Sequence, residues 1–150
     1  MYTGDEICHS SSCRVKATAH AAFAYLSDGV LNGEWTLGSM ERERVGDNLV
    51  KGKSLFNGDV YYIRLDCDRD RFIILYSVGP EPNLTQPSTM IRILPGSVIG
   101  TDDRECVVTL LSWRTSSMSD ENWKLICISH ETEMYIIKNR IERRAESTKR

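Results

Sequence analysis

The chain has 150 residues, 41% of them hydrophobic and 27% charged, with a formal net charge of −2. That length and balance fit a folded protein with a sizeable core and exclude a disordered chain. The small net charge argues against a nucleic-acid partner, which needs a concentrated positive field, and no apolar run approaches the roughly 20 residues of a bilayer-spanning helix.

The five cysteines, Cys8, Cys13, Cys67, Cys106 and Cys127, are odd in number and include no Cys-x-x-Cys pair, so neither a disulfide framework nor a zinc site is expected. The chain does not open with a basic stretch before an apolar one, and a cytoplasmic protein with reduced thiols is the expectation. There is no glycine-rich phosphate loop, nucleophile elbow or dinucleotide fingerprint. The histidines His9, His20 and His130 are scattered with no acid at metal spacing. Neither a metal nor another cofactor is expected.

In chain order, Ile7–Val15 reads as a first strand, frayed around His9, with Cys13 and Val15 on one face. Thr18 suits the N-cap of a short helix, because its hydroxyl can accept a bond from an orphan N–H of the first turn. Ala22, Phe23 and Leu26 then recur at helical spacing. Ser27-Asp28-Gly29 ends that helix, with Gly29 expected in the left-handed conformation. A second short helical turn closes on Trp35.

From Ser39 to Thr115 the sequence reads as strand after strand, with turn signals about every ten residues. Gly46-Asp47-Asn48 separates Met40–Val45 from Val50–Phe56. Asn57-Gly58 is the strongest hairpin signal and predicts a type I′ turn, which needs positive φ at both positions. Asp68-Arg69-Asp70 separates Val60–Cys67 from Phe72–Val78. Gly79 to Asn83 opens a longer loop before Thr89–Leu94, and Pro95-Gly96 opens another before Glu105–Thr115. Ser117 or Ser119 caps a long C-terminal helix starting near Ser119, with Asp120 and Glu121 favourable in its first turn. Trp123, Cys127, His130, Met134, Ile137 and Ile141 fall three or four apart, a stripe over about five turns. Lys138, Arg140, Arg143, Arg144, Lys149 and Arg150, interleaved with Glu142 and Glu146, read as a solvated helix end.

The stretch from Val15-Lys16-Ala17 through Phe23, Leu26 and Asp28, followed by a small loop and Trp35, resembles the opening of the START-related superfamily, also called SRPBCC. Plant pollen allergens, lipid-transfer domains and polyketide cyclases belong to it. The order strand, two short helices, six strands, long helix is that of its helix-grip fold. The resemblance implies a single α+β domain over residues 1–150. A curved antiparallel sheet of about seven strands wraps the C-terminal helix, because the sheet's apolar face must be covered. It also implies a ligand cavity between sheet and helix.

Alternation along the strands nominates the inward residues. Tyr61, Ile63, Leu65 and Cys67 form one set, Phe72, Ile74, Tyr76 and Val78 the next, and Ile91 with Ile93 a third, which places Arg92 outside. An inward Arg92 would favour catalysis, since some polyketide cyclases of this fold use an inward arginine. In Cys106–Thr115 both faces are apolar; Val107, Thr109, Leu111 and Trp113 are taken as inward because Ser112 and Arg114 share the other face.

His130 sits mid-stripe and should point into the cavity, where an imidazole can serve as a general base with a burial-tuned pKa. Its alternative is a core histidine satisfied by one hydrogen bond to a strand. Glu131 lies about 100° round the helix, which disfavours a His–Glu dyad, and His20 should be exposed. The candidate ligand-binding residues are Trp35, Tyr61, Ile63, Ile74, Tyr76, Trp113, Trp123, Cys127, His130 and Met134, with His130 the candidate catalytic residue. The tryptophans fit a cavity lining and a plain core equally well.

The expected function is binding of a hydrophobic or aromatic small molecule in the cavity. The alternatives are an enzyme of the polyketide cyclase/dehydratase type, with His130 or the cavity tyrosines moving protons, and a regulatory interaction module. Phe72–Val78 is apolar on both faces, which suggests a homodimer covering the outer sheet surface.

Overall fold

The computed structural model describes residues 7–149; the chain start and Arg150, both read above, lie outside them. Strand β1 (Cys8–Val15) leads into helix α1 (Ala19–Leu26) and a 3-10 turn (Leu31–Glu34). Strands β2 (Met40–Gly46), β3 (Leu49–Lys53), β4 (Val60–Asp68), β5 (Ile73–Gly79) and β6 (Gln86–Pro95) follow, then a 3-10 turn (Gly96–Ile99), β7 (Cys106–Trp113) and helix α2 (Asp120–Ser147).

The seven strands form one sheet in the order β1-β7-β6-β5-β4-β3-β2, and every neighbouring pair is antiparallel. This is the α+β helix-grip arrangement, with the sheet closed by the long last helix. No helix among the described residues is long and apolar enough to cross a membrane.

Local chemistry places both helices. The Thr18 hydroxyl accepts the Ala21 N–H at 3.1 Å and starts α1; the Ser119 hydroxyl accepts the Asn122 N–H at 3.2 Å and starts α2. Helix α1 packs on β6, β7 and α2. In this core Val15, Leu26, Ile91, Ile93, Val108 and Ile137 are wholly removed from solvent. Burying a side chain of that size contributes about 1.5–3 kcal/mol each, so this is where the fold is held.

The strand parity follows the sequence for β4, β5 and β6 and reverses it for β7. Cys106, Val108, Leu110 and Ser112 are buried, whereas Val107, Thr109 and Leu111 lie on the other face. Pairing decides this. Ile91 sits opposite Leu110 and Ile93 opposite Val108, and directly opposed residues share a face. Ser112 misled the parity because it is a buried polar residue, bonded to Thr89 at 3.0 Å.

Three turns also differ from expectation. Ser27, in right-handed helical geometry, is the C-cap of α1, and Gly29 is absent from the positive-φ residues. Gly29 is instead needed for close packing, since a Cβ there would meet Val50 Cγ1 at 2.9 Å. Asn57-Gly58 forms no two-residue turn: only Gly58 has positive φ, and Asn57 Oδ1 accepts the Asp59 N–H at 2.9 Å within a longer loop. Phe72 precedes β5 with φ of 53° and packs edge-on against Phe23 and the exposed His20. β1 is not frayed at His9, which is 2% exposed.

Candidate functional site

Between the concave sheet face and the N-terminal half of α2 lies a cavity of about 590 Å³. Its wall on the helix is Asn122, Leu125, Ile126, Ser129, His130 and Glu133, a stripe of three- and four-residue steps. Its rim comes from loops, with Phe56 and Asn57 on one side, Pro80 and Leu84 on another, and Ser117 and Met118 before α2.

Of the sequence-nominated residues, Trp35, Tyr61, Ile63, Tyr76, Trp113 and His130 line the cavity. Trp113 does so although its strand parity was misassigned. Ile74, Trp123, Cys127 and Met134 do not line it; Ile74 and Met134 belong to the apolar core. The reason is that α2 carries two adjacent stripes which share His130. The apolar one packs on β1 and the core, where the Cys13 thiol meets the Met134 carbonyl, and the mixed one faces the void. Arg92 stays on the outer parity, opposite Thr109 and Ile73.

His130 is buried, with Nε2 3.5 Å from the Ser112 hydroxyl and 4.0 Å from Glu133 Oε2. Burial, and the neighbouring His9, hold its pKa down at about 4, so it is neutral at pH 7. His9 packs beside it with ring centroids 5.9 Å apart, and His9 Nε2 meets Glu131 Oε1 at 3.0 Å. Glu131 thus serves His9, and the acid beside His130 is Glu133.

Two functional candidates were invisible to pattern reading. Glu133 is 4% exposed; one oxygen accepts the Leu37 N–H at 3.0 Å. Burial pushes its pKa up to about 7, against the opposing pull of the Leu37 amide and Arg42. Its signal was the three-residue step from His130, which puts both on one helix face.

Arg42 is the second. It is the one buried residue of β2, and burial lowers its pKa to about 10. The ladder is irregular between Met40 and Glu43 and Glu41 has φ of 53°; a bulge of this kind re-aims a side chain. Glycines make the space: a Cβ at Gly33 would meet the Arg42 N at 2.8 Å, and one at Gly52 the Arg42 Cγ at 2.9 Å.

The guanidinium donates from Nε and Nη2 to the Ser39 hydroxyl at 3.2 and 2.8 Å, from Nε also to the Ser39 carbonyl at 3.1 Å, and from Nη1 to the Gly29 carbonyl at 3.4 Å. Among the described residues no carboxylate forms an ion pair with it.

The wall beside it is held by Asn32, which is wholly buried. Its side-chain oxygen accepts the Trp35 indole N–H at 3.0 Å. Its amide donates to the Leu26 carbonyl at 3.0 Å and to the Tyr76 hydroxyl at 3.3 Å. The Tyr76 hydroxyl donates to the same carbonyl at 2.7 Å, so Tyr76 offers the cavity its ring rather than its hydroxyl. Among the described residues no three His, Cys, Asp or Glu side chains gather into a metal-binding group.

No protein-family model matches the chain, and no curated protein does either. Solved structures match over almost its whole length. The Zhui aromatase/cyclase from a Streptomyces species is 17% identical, with a TM-score of 0.66 and 95% of each chain covered. A START superfamily protein from Mycobacterium smegmatis is 10% identical, with a TM-score of 0.63, covering 95% of this chain and 99% of that one. The protein XoxI from Bacillus cereus is 13% identical, with a TM-score of 0.69, covering 89% of this chain and 94% of that one. At such identities the likeness is one of architecture. The chain has a START-like helix-grip fold, the architecture it shares with that START superfamily protein and that aromatase/cyclase.

Proposed function

We propose that the protein binds a hydrophobic or aromatic small molecule in the cavity between the sheet and α2. The observation that carries this reading is a void of about 590 Å³ lined by the large apolar surfaces of Trp35, Tyr61, Ile63, Val78 and Trp113, with Arg42, His130 and Glu133 as buried polar groups on it. Cavities of a few hundred Å³ with an apolar lining and a few convergent polar groups are where small ligands bind. Displacement of an environment-sensitive dye tests it, with millimolar or better affinity expected. Failure of every member of a panel of lipids, aromatics and polyketide-like compounds to displace the dye overturns it.

A second reading is an enzyme of the cyclase/dehydratase type. It is favoured by the position of His130 on the cavity wall between Ser112 and Glu133, and by the likeness in fold to aromatase/cyclases. A cavity that folds a reactive chain supplies rate through positioning alone, and His130 would move protons. On this reading His130→Ala lowers turnover by about 10² or more and leaves dye affinity nearly unchanged. Unaltered turnover in that variant removes His130 from the chemistry.

A further inference from the structure

Arg42, from β2, and Glu133, from α2, both line one void. Both are among the most buried charged side chains of the molecule. A guanidinium carries five N–H groups. The bonds to Ser39 and Gly29 leave one on each terminal nitrogen without a partner among the described residues. A buried cation with spare donors and no paired carboxylate is an incomplete arrangement, because burying a charge is costly unless it is matched. Glu133 supplies part of that match through space, and the two remaining N–H groups are left for an anion that enters the cavity.

We propose that this buried side of the cavity is a proton-linked anion site, in which Arg42 takes the anionic oxygens of an otherwise apolar ligand while Glu133 takes up a proton. The inference rests on the cavity being a small-molecule site. A planar carboxylate presents the oxygen pair that a guanidinium fork accepts.

The linkage follows from the two charges sharing one poorly solvated space. In the empty cavity Arg42 pulls the Glu133 carboxyl toward its ionised form, against burial. An anion on Arg42 cancels that pull and adds a like charge nearby, so Glu133 binds a proton more tightly.

Two other titratable groups around Glu133 keep one protonation state near neutrality. Tyr76, from β5, is held protonated by burial. His130, on α2, is held neutral. His9, from β1, stands behind His130 and is engaged by Glu131. Affinity for a carboxylate therefore rises as pH falls toward about 7, with proton uptake greatest just above neutrality.

The test uses 2-naphthoate and its neutral methyl ester. Binding is followed through quenching of Trp35 and Trp113, and by calorimetry at pH 7.5 in phosphate and in Tris. In the wild-type protein the acid should bind about tenfold or more tightly than the ester, the scale of a charge-assisted hydrogen bond. The two buffers should give different heats, reporting proton uptake. Glu133→Gln should abolish the buffer dependence and keep the acid preference; Arg42→Gln should abolish the preference.

Equal binding of acid and ester overturns the anion site and leaves the cavity reading standing, as does a buffer-independent heat for the proton link. If neither compound nor the wider panel binds, both fall together. The decisive comparison is made on the unaltered protein, so a variant that fails to fold leaves it intact.

Discussion

Helix α2 does opposite jobs at its two ends. Its C-terminal half presents Met134, Ile137 and Ile141 to a dry core, while its N-terminal half presents Leu125, Ile126, Ser129, His130 and Glu133 to a void. The difference lies in what faces the helix. Helix α1 fills the space at one end; at the other, only loops rim the sheet. One continuous helix thus carries a stabilising half, where close packing sets the cost of every methylene, and a half in which polar groups stand beside unfilled volume.

The comparison breaks most easily with truncations. Ile137→Ala, at a site with no exposure, should cost about 2–5 kcal/mol in urea unfolding and leave the dye affinity of the folded protein unchanged. Leu125→Ala, on the cavity wall, should cost less than about 1.5 kcal/mol, because its side chain already borders open volume, and should alter affinity. Equal costs at the two sites would mean that the halves are not distinct.

A second prediction concerns pH. Burial raises the Glu133 pKa from 4.5 to about 7. The folded state therefore keeps this proton where the unfolded state has lost it, and stability drains away as pH rises from 4.5 through 7. The loss amounts to about 3 kcal/mol, fully developed above neutrality. His130 works the other way: its pKa falls from 6.5 to about 4, so its contribution is present above 6.5 and is lost as pH falls through 4. Between these limits the two slopes oppose each other. Glu133→Gln should raise the melting temperature at pH 8 and have almost no effect at pH 4.5. A uniform shift at both values would place the carboxylate in contact with water.

The smallest effects come from the caps. Thr18→Ala, which frees the Ala21 amide, should cost about 1 kcal/mol of global stability. Ser119→Ala makes the same chemical change at the open end, and its effect should appear mainly as faster amide exchange in the first turn of α2, where few core contacts depend on it.

Much of this was readable in the chain. Alternation in β4 and β6 marked their inner faces because Arg64, Asp66 and Arg92 occupy the other parity, while β5, apolar on both faces, was placed on its inner set with less contrast. β7, apolar on both faces, has no such contrast, and only its pairing with Ile91 and Ile93 resolves it. The void was harder to read. Arg42 lies in a run of alternating charges, Glu41 to Arg44, that reads as a solvated edge strand, and only a bulge with two facing glycines turns it inward. Glu133 looks like any acid on a helix surface until the cavity stripe is separated from the core stripe by one helical step. The sequence shows which residues are apolar far better than it shows which polar ones are enclosed.

The carbonyl of Leu26, at the last turn of α1, is grasped from outside the helix by Asn32 and Tyr76. A helix end is where exchange with solvent begins, so that turn is latched by the same ring that forms part of the cavity wall. An occupant that pushes the Tyr76 ring aside must loosen the latch, and one that packs against it must tighten it. The frayable end of α1 is thereby made a gauge of occupancy, readable as a slowing or quickening of its backbone amides.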